Sequence, residues 1–186
     1  GLLELLARAE DEASSSIGVL IARGLLTQSG QGEAALLMPS HPLVAELVYD
    51  DIPSSARREL HGHIFAVLEG QGTRAGVLAM HGHAAGGGPR VLALCERAGQ
   101  DAEAQFDDHG AAMHYRRAWE LARWDLLRGE DNAPDTLARM ACRLGEAMLW
   151  SGDVAGAEPV LREALEHASG SPGTEAKLHR ALGRAA

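Results

Sequence analysis

One set of residue spacings restricts what this chain can fold into. Small residues recur at fixed distances around one large residue, and the arrangement occurs twice: Gly99, Ala111, Tyr115 and Ala118, and then Gly145, Ala157, Leu161 and Ala164. The offset between the two sets is 46 residues at all four positions. Small residues are needed where two helices cross closely, and a large side chain fills the space beside the crossing. The spacing therefore predicts two successive helix pairs that pack alike.

This spacing is that of the tetratricopeptide repeat, a helix–turn–helix unit of about 34 residues. We attribute the excess in the observed offset to an insertion around residues 124–134, which is charged and contains glycine. A third unit begins at Leu182-Gly183, which matches Leu144-Gly145. We therefore predict an all-α chain in which residues 73–186 form a tetratricopeptide-like helical superhelix.

The composition supports helices and argues against nucleic acid as a partner. Alanine, leucine and glycine carry the apolar content, aromatic residues make up only 4%, and long β-branched runs are absent, which excludes a large sheet. The formal net charge is −9. Domains that bind nucleic acids are usually basic, because contacts with phosphate supply much of their affinity. We expect no binding of nucleic acid by this chain.

Cysteine usage and hydropathy indicate a cytoplasmic protein. The two cysteines, Cys95 and Cys142, stand far apart and outside any CxxC pair, so neither a disulfide framework nor a zinc site is expected. No apolar stretch reaches the roughly 18 residues that span a bilayer, and no signal peptide is evident. We expect no interaction with membranes, and thiols that behave as small buried hydrophobic groups.

The first 72 residues contain the only predicted strands. A helix over residues 11–23 is ended by Gly24, and two short apolar runs flank the turn residues 29–32, which predicts a β-hairpin. Helix, turn and hairpin form the tail of a winged helix, so we interpret residues 1–40 as a truncated winged-helix remnant and residues 41–72 as linking helices. Residues 2–8 are typical of the end of a helix, and we expect that the chain is cut from a longer protein.

The junction between these segments carries a family resemblance. The stretch from His41-Pro42-Leu43-Val44 to Val48-Tyr49, followed by Arg57-Arg58-Glu59-Leu60-His61, resembles a motif, HPL(V/I)xxxVY…RRxLH, of bacterial STAND signal-transduction ATPases. There it joins a winged helix to helical repeats. The resemblance covers most of residues 15–186, and residues 106–108 and 115–120 look more like the repeats of kinase-linked members. It implies a parent that carries an ATPase core and a kinase, cyclase or LuxR-type output domain.

The catalytic motifs of that family are missing from this chain. A phosphate-binding loop needs Gly-x-x-x-x-Gly-Lys-Ser/Thr, whereas the only lysine, Lys177, is followed by Leu178. Neither a kinase glycine-rich loop nor a catalytic-loop motif occurs. The ATPase and output activities of the family therefore do not transfer to these residues, and we expect a non-catalytic chain without a cofactor.

Histidines are the only residues that raise the possibility of a metal site. His61 and His63 form one close pair, and His81 and His83 form another. On a helix, side chains at positions i and i+2 point in different directions, so neither pair converges on one ion. No cysteine or carboxylate completes either pair at a usual spacing. We therefore predict no metal site, and the resemblance implies a structural role for His61 and His81.

The repeat register predicts an interaction face. In such stacks the second, fifth, ninth, twelfth and thirteenth positions of each unit face an inner groove. This register and the partly formed third unit give the candidate partner-binding residues Glu96, Gln100, Glu103, Arg139, Cys142, Glu146, Leu149, Trp150 and Arg180. Charge along this face runs from acidic near Glu96 and Glu103 to basic near Arg180, which suits an extended peptide with charges of both signs.

The sequence thus predicts a protein-interaction or sensor region of a larger bacterial signal-transduction or transcription-regulating ATPase. Its partner is a protein, a peptide or another domain of the same parent, and a homo-oligomer is left open. A helical sensor that encloses a small-molecule inducer is the alternative, and a deep apolar pocket would favour it over an open polar groove. A DNA-binding winged-helix fragment is a weaker alternative. For the candidate partner-binding residues, the alternative is that they belong to ordinary solvated helix faces.

Overall fold

The structure is a computed structural model that describes residues 14–30, 36–130, 133–168 and 172–185. It is mostly helical, with one antiparallel two-stranded hairpin in the described part. The chain divides into two compact units, Gly1–Ala56 and Arg57–Ala186. This division falls inside the predicted linking segment, within a helix, and each unit is described by itself.

The first unit contains a helix, the hairpin and a second helix. Helix α1 is described over residues 14–22. Strands β1 (Leu26–Ser29) and β2 (Leu36–Pro39) pair in antiparallel register, with Leu26 opposite Pro39. The hairpin predicted from the sequence is confirmed. The predicted turn at residues 31 and 32, like the predicted helix at residues 2–8, lies outside the described residues. Helix α2 spans Pro42–Asp51.

Local side-chain chemistry explains where these elements begin and end. Gly24 ends α1 with a φ of +69°, in the left-handed region that only glycine adopts at low cost. The hydroxyl of Ser40 donates a hydrogen bond to the carbonyl of Gly24 and so closes the base of the hairpin. Helix α2 begins at His41, whose Nδ1 accepts a hydrogen bond from the backbone N–H of Leu43 at 3.2 Å, with Pro42 in the first turn.

The second unit is a succession of helices. Its first helix, α3 (Ser54–Glu69), begins three residues before the boundary of the unit. It is followed by α4 (Ala75–Ala84), α5 (Pro89–Glu103), α6 (Asp108–Arg128), α7 (Ala133–Trp150), α8 (Val154–His167) and α9 (Pro172–Ala185). From α4 onward each helix packs against the next, and α7 also packs against α9. Over the described ranges, no helix is both long enough and apolar enough to cross a membrane.

The two sets of repeated residues lie where helices cross. Gly99 on α5 lies against Tyr115 on α6, and a Cβ built on this glycine would lie 2.5 Å from the tyrosine ring. Gly145 on α7 lies against Leu161 on α8, where an added Cβ would be 2.8 Å from the leucine. Both large side chains are fully buried, as are the four alanines of the two sets. A glycine therefore meets the large residue in both predicted helix pairs.

The offset of 46 residues also extends to the helix caps. The carboxylate of Asp107 accepts a hydrogen bond from the N–H of Gly110 at 2.8 Å and begins α6. The carboxylate of Asp153 does the same with Gly156, at 3.0 Å, and begins α8. The sequence predicts this role for Asp107, because aspartate is a preferred N-cap residue and Asp107 lies at a predicted helix end, and the structure confirms it. Because both pairs begin their second helix alike, the sequence sets the helix start as well as the crossing.

The insertion that the sequence predicts between the two repeat units lengthens a helix. Helix α6 has 21 residues, whereas the corresponding α8 has 14. The added turns carry Trp124 and Leu127, whose side chains are 61% and 77% exposed. The sequence predicts core packing for the tryptophans, because that is the common place of a large aromatic side chain on an amphipathic helix. The prediction is wrong for Trp124, which lies on an uncovered side of α6, although Leu126 farther along the same helix packs against the core. Trp119, one turn earlier, is buried as predicted.

Replacing either crossing glycine by alanine tests the contribution of the close approach. We expect Gly99→Ala and Gly145→Ala each to lower the free energy of unfolding by about 1–3 kcal/mol, because the added methyl group overlaps a buried side chain. Gly183→Ala on α9 is the matched control. Its Cβ would meet nothing within 4 Å, so the higher helix propensity of alanine should leave stability unchanged or slightly raised. Urea denaturation of the three variants measures the difference; equal effects at all three positions would contradict the crossing.

Candidate interaction surface

Three ion pairs connect the alternate helices α5, α7 and α9. Glu96 on α5 pairs with Arg139 on α7. Glu103 on α5 pairs with Arg143 on α7, with 3.3 Å between Oε2 and Nη1. Between α7 and α9, Glu146 Oε1 and Arg184 Nη1 also lie 3.3 Å apart. We call these three pairs the ion-pair ladder; it runs across one face formed by the alternate helices α5, α7 and α9.

The spacing of charges along each helix explains the ladder. Glu96 and Glu103 are seven residues apart, and Arg139 and Arg143 are four apart, so each set projects from one side of its helix. Four of the predicted partner-binding residues, Glu96, Glu103, Arg139 and Glu146, are brought together in this way. Arg143 was missed by the sequence, because its position in the repeat is not one of the five that define the inner face.

A cavity of about 520 Å³ lies on the same face, between α7 and α9. Its lining includes the predicted residues Arg139, Cys142, Glu146 and Arg180, together with Arg143 and Lys177. Arg139 and Arg143 already face glutamates of the ladder. Lys177 and Arg180 are exposed and make no ion pair among the described residues. Asp135, in the first turn of α7, also lines the cavity, is exposed and makes no ion pair in the described part of the chain. The charge available to a partner on this face is therefore mainly positive, with two cations on α9 and one carboxylate on α7.

The remaining predicted residues have different environments. Gln100 is exposed on α5. Leu149 is partly buried and packs against the hydrophobic core, so less of its surface is available to a partner. Trp150 is 74% exposed at the last position of α7, and core packing is therefore wrong for this tryptophan too. Neither Leu149 nor Trp150 lines the cavity between α7 and α9.

The charge gradient predicted from the sequence changes once the partners are known. The carboxylates of Glu96 and Glu103 were expected to make one end of the face acidic. Each lies instead against an arginine of α7, which neutralises it. The basic end near Arg180 has no such neutralisation in the described structure. Pairing between helices about 40 residues apart in sequence thus removes the acidic end of the predicted gradient and leaves the two cations of α9 as the main free charge.

The cysteines are poor nucleophiles. Burial raises the pKa of the Cys142 thiol to about 11, and nearby Glu146 raises it further while Lys177 lowers it. Burial likewise raises the pKa of Cys95 to about 11. A thiol with so high a pKa is protonated at neutral pH, and the protonated form is unreactive. Both side chains act as small packing groups.

The histidine pairs separate as their spacing predicts. His61 on α3 and His81 on α4 meet each other, with 2.8 Å between their Nδ1 atoms. His83 turns to α6, where its Nε2 lies 3.1 Å from Glu120 Oε2, and His63 is exposed. Across the described ranges, no group of three histidine, cysteine, aspartate or glutamate side chains is placed to hold a metal ion. These histidines join helices.

Comparisons with protein-family models, with curated proteins and with solved structures found no match. The function is therefore inferred from the geometry and charge of the surfaces described above.

The contact between His61 and His81 predicts a dependence of stability on pH. Burial lowers the pKa of His81, and a charge on His61 lowers it further. Above the ordinary value of 6.5, His81 is neutral in both the folded and the unfolded chain. Below it, the unfolded chain takes up a proton that the folded side chain resists, so the free energy of unfolding falls with falling pH.

We therefore expect urea midpoints to decrease between about pH 7.5 and about pH 5.5. His81→Gln removes one source of this dependence, so its slope with pH should be shallower than that of the wild type. His179→Gln, at an exposed position on α9, is the control and should keep the wild-type slope. A His81→Gln slope equal to that of wild type would show that the pair does not titrate with folding.

Proposed function

We propose that residues 57–186 are a non-catalytic, tetratricopeptide-like interaction region that binds an extended segment of protein on the face of α5, α7 and α9. The observation that carries this proposal is the pair of unneutralised cations, Lys177 and Arg180, beside a polar cavity and a ladder whose own charges are paired. An acidic side chain of the bound segment would pair with these two cations.

The tetratricopeptide-like organisation is supported by the two glycine crossings and by the order of contacts. Gly99 and Gly145 each admit a large buried residue from the second helix of their pair. The contact of α7 with α9 and the ladder pairs between α5 and α7 join the first helices of successive pairs. This is the order expected of stacked repeats, in which the first helices together line one face.

The size of this face fits a short extended segment. Packed helices are separated by about 10 Å, so crossing from α5 through α7 to α9 covers on the order of 20 Å. An extended chain advances about 3.3 Å per residue, which corresponds to about six residues. Gln100 offers an exposed polar side chain along this path. Its amide group can hydrogen-bond the exposed backbone of such a segment.

The character of the cavity favours a protein segment over an enclosed inducer at this place. Charged side chains, among them Arg139, Arg143, Glu146, Lys177 and Arg180, form much of its lining. A site for an apolar small molecule would instead be walled by hydrophobic and aromatic side chains. The overall net charge of −9 argues against DNA as the partner, because nucleic-acid binding relies on an excess of basic residues.

The wider role follows the resemblance of the junction motif. We propose that the chain belongs to a cytoplasmic bacterial STAND-type signalling protein, in which residues 1–40 are the remnant of a winged helix. The partner is another protein, another domain of the same parent or a second copy of this chain. The missing phosphate-binding loop and the protonated thiols support a role without catalysis.

Selection from a random library of peptides about 12 residues long tests the proposal directly. We expect the wild-type chain to enrich peptides that carry aspartate or glutamate. The double variant Lys177→Glu, Arg180→Glu should bind the selected peptides at least about tenfold more weakly, because hydrogen bonds to charged groups contribute about 1.5–3 kcal/mol each. Fluorescence anisotropy with labelled peptides measures the change.

The matched control reverses two other exposed arginines, Arg128 on α6 and Arg162 on α8. Both make only exposed ion pairs, which contribute little to stability, and the double reversal changes the net charge by the same amount. It should bind as the wild type does. Selected peptides without an acidic preference, or equal binding by the Lys177 and Arg180 variant, would refute the assignment. Reversal at Glu96 is a poorer test, because it would set a lysine against Arg139.

A further inference from the structure

A second cavity lies away from the ladder, between α4, α5 and the beginning of α6. Its volume is about 780 Å³, within the range of about 300–1,000 Å³ that is usual for small-molecule sites. Its lining includes two arginines, a histidine, two aspartates, a glutamine and a group of apolar residues. The six that matter here are Arg74, Val77, Met80, Met113, His114 and Arg117.

The charge that this cavity offers is positive. Asp101 is neutralised by Arg97, which lies 2.9 Å away. Asp107 caps α6 and keeps its charge, but the two arginines outnumber it. Arg74 and Arg117 make no hydrogen bond or ion pair in the part of the chain that the structure describes. Arg74 is the N-cap residue of α4, but its side chain makes no capping hydrogen bond. Both guanidinium groups are therefore available to an anion.

The apolar side of the cavity is exposed and adaptable. Val77, Met80 and Met113 are 39%, 41% and 45% exposed, although each is a large hydrophobic residue. Unbranched methionine side chains can fit ligands of different shape. Apolar surface of this kind beside two free cations matches a molecule that has both a hydrocarbon body and an anionic head.

His114 provides a reporter in the same wall. Its imidazole lies close to Gly76, whose added Cβ would be 3.4 Å from the ring, and its Nδ1 is buried without a hydrogen-bond partner among the described residues. Burial lowers the pKa of His114, the charge of Arg117 lowers it further, and Asp107 opposes them. An anion bound between the arginines would favour the charged imidazole and raise that pKa again.

We propose that this cavity binds a small organic anion, with its acidic group held by Arg74 and Arg117 and its hydrocarbon body against Val77, Met80 and Met113. The proposal does not depend on the peptide-binding face, because none of these residues belongs to the ladder or to the cavity between α7 and α9.

Octanoate is the probe, and the full chain is followed by NMR. Octanoate should shift the methyl signals of Met80 and Met113 saturably and raise the pKa of His114. Butyrate, which has a shorter body, and octylammonium, which has the opposite charge, should each bind at least tenfold more weakly. These two comparisons separate the contributions of the apolar wall and of the arginines.

Two arginine variants and a neighbouring control locate the site. Arg117→Gln and Arg74→Gln should each weaken octanoate binding about tenfold. Arg74 is exposed and its side chain makes no capping hydrogen bond, so the Arg74→Gln variant should fold normally even if Arg117→Gln does not. Arg116→Gln is the control, because Arg116 is the next residue on α6 but contacts Met148 outside this cavity; it should bind as the wild type does.

Several results would overturn the proposal. One is the absence of saturable shifts at about 10 mM octanoate, because any dissociation constant would then lie above about 10 mM. Equal binding of octanoate and octylammonium would exclude the arginines as the recognising groups. Unchanged binding by Arg74→Gln and by a folded Arg117→Gln would do the same. Shifts confined to residues of α7 and α9 would place octanoate in the other cavity and refute this one.

Discussion

Two glycines set the distance between the helices of each pair, and the surfaces of the second unit depend on that distance. Gly99 admits Tyr115 and Gly145 admits Leu161 so closely that no Cβ would fit. Glu96 stands three residues before Gly99 and Glu103 four residues after it, so both glutamates lie beside the crossing on the same side of α5. Arg143 of the ladder also lies near the buried tyrosine, with its guanidinium carbon 6.0 Å from the centre of the Tyr115 ring. The interaction face thus borders the crossing that the small residues allow.

Elements determined by neighbouring residues could be predicted from the sequence. The hairpin follows from a turn between two apolar runs, the start of α6 from the capping Asp107, and the helix pairs from Gly99 and Gly145 with their large partners. Each depends on steric or hydrogen-bonding preferences that act within a few residues or within one helix crossing. Asp107 and Gly110 recur as Asp153 and Gly156 at the same offset. This recurrence is visible in the sequence and is further support for the alignment of the two repeats.

The charge of the surfaces could not be predicted, because it depends on which side chains meet. Glu103 was assigned to an acidic end, yet Arg143 lies 3.3 Å from it on a helix far along the chain. The cavity that Arg74 and Arg117 line draws on three helices without any periodic pattern. Trp124 is exposed whereas Leu126 on the same helix packs against the core, so its exposure depends on which side of α6 the other helices cover. Such features arise from packing between distant segments, which a single sequence does not specify by spacing.

The ladder makes this face sensitive to dissolved salt. Within each pair, α5 with α6 and α7 with α8, the helices are held by buried apolar contacts, which dissolved salt hardly weakens. Across the face, α5, α7 and α9 are joined by partly exposed ion pairs, which mobile ions screen over a distance of about 8–10 Å at physiological ionic strength. The pairs are also joined by the packing of α6 against α7 in the continuous apolar core, which salt leaves intact. Salt therefore weakens only the ion pairs across the face, where dissolved ions compete for the same charged groups that a bound segment would meet.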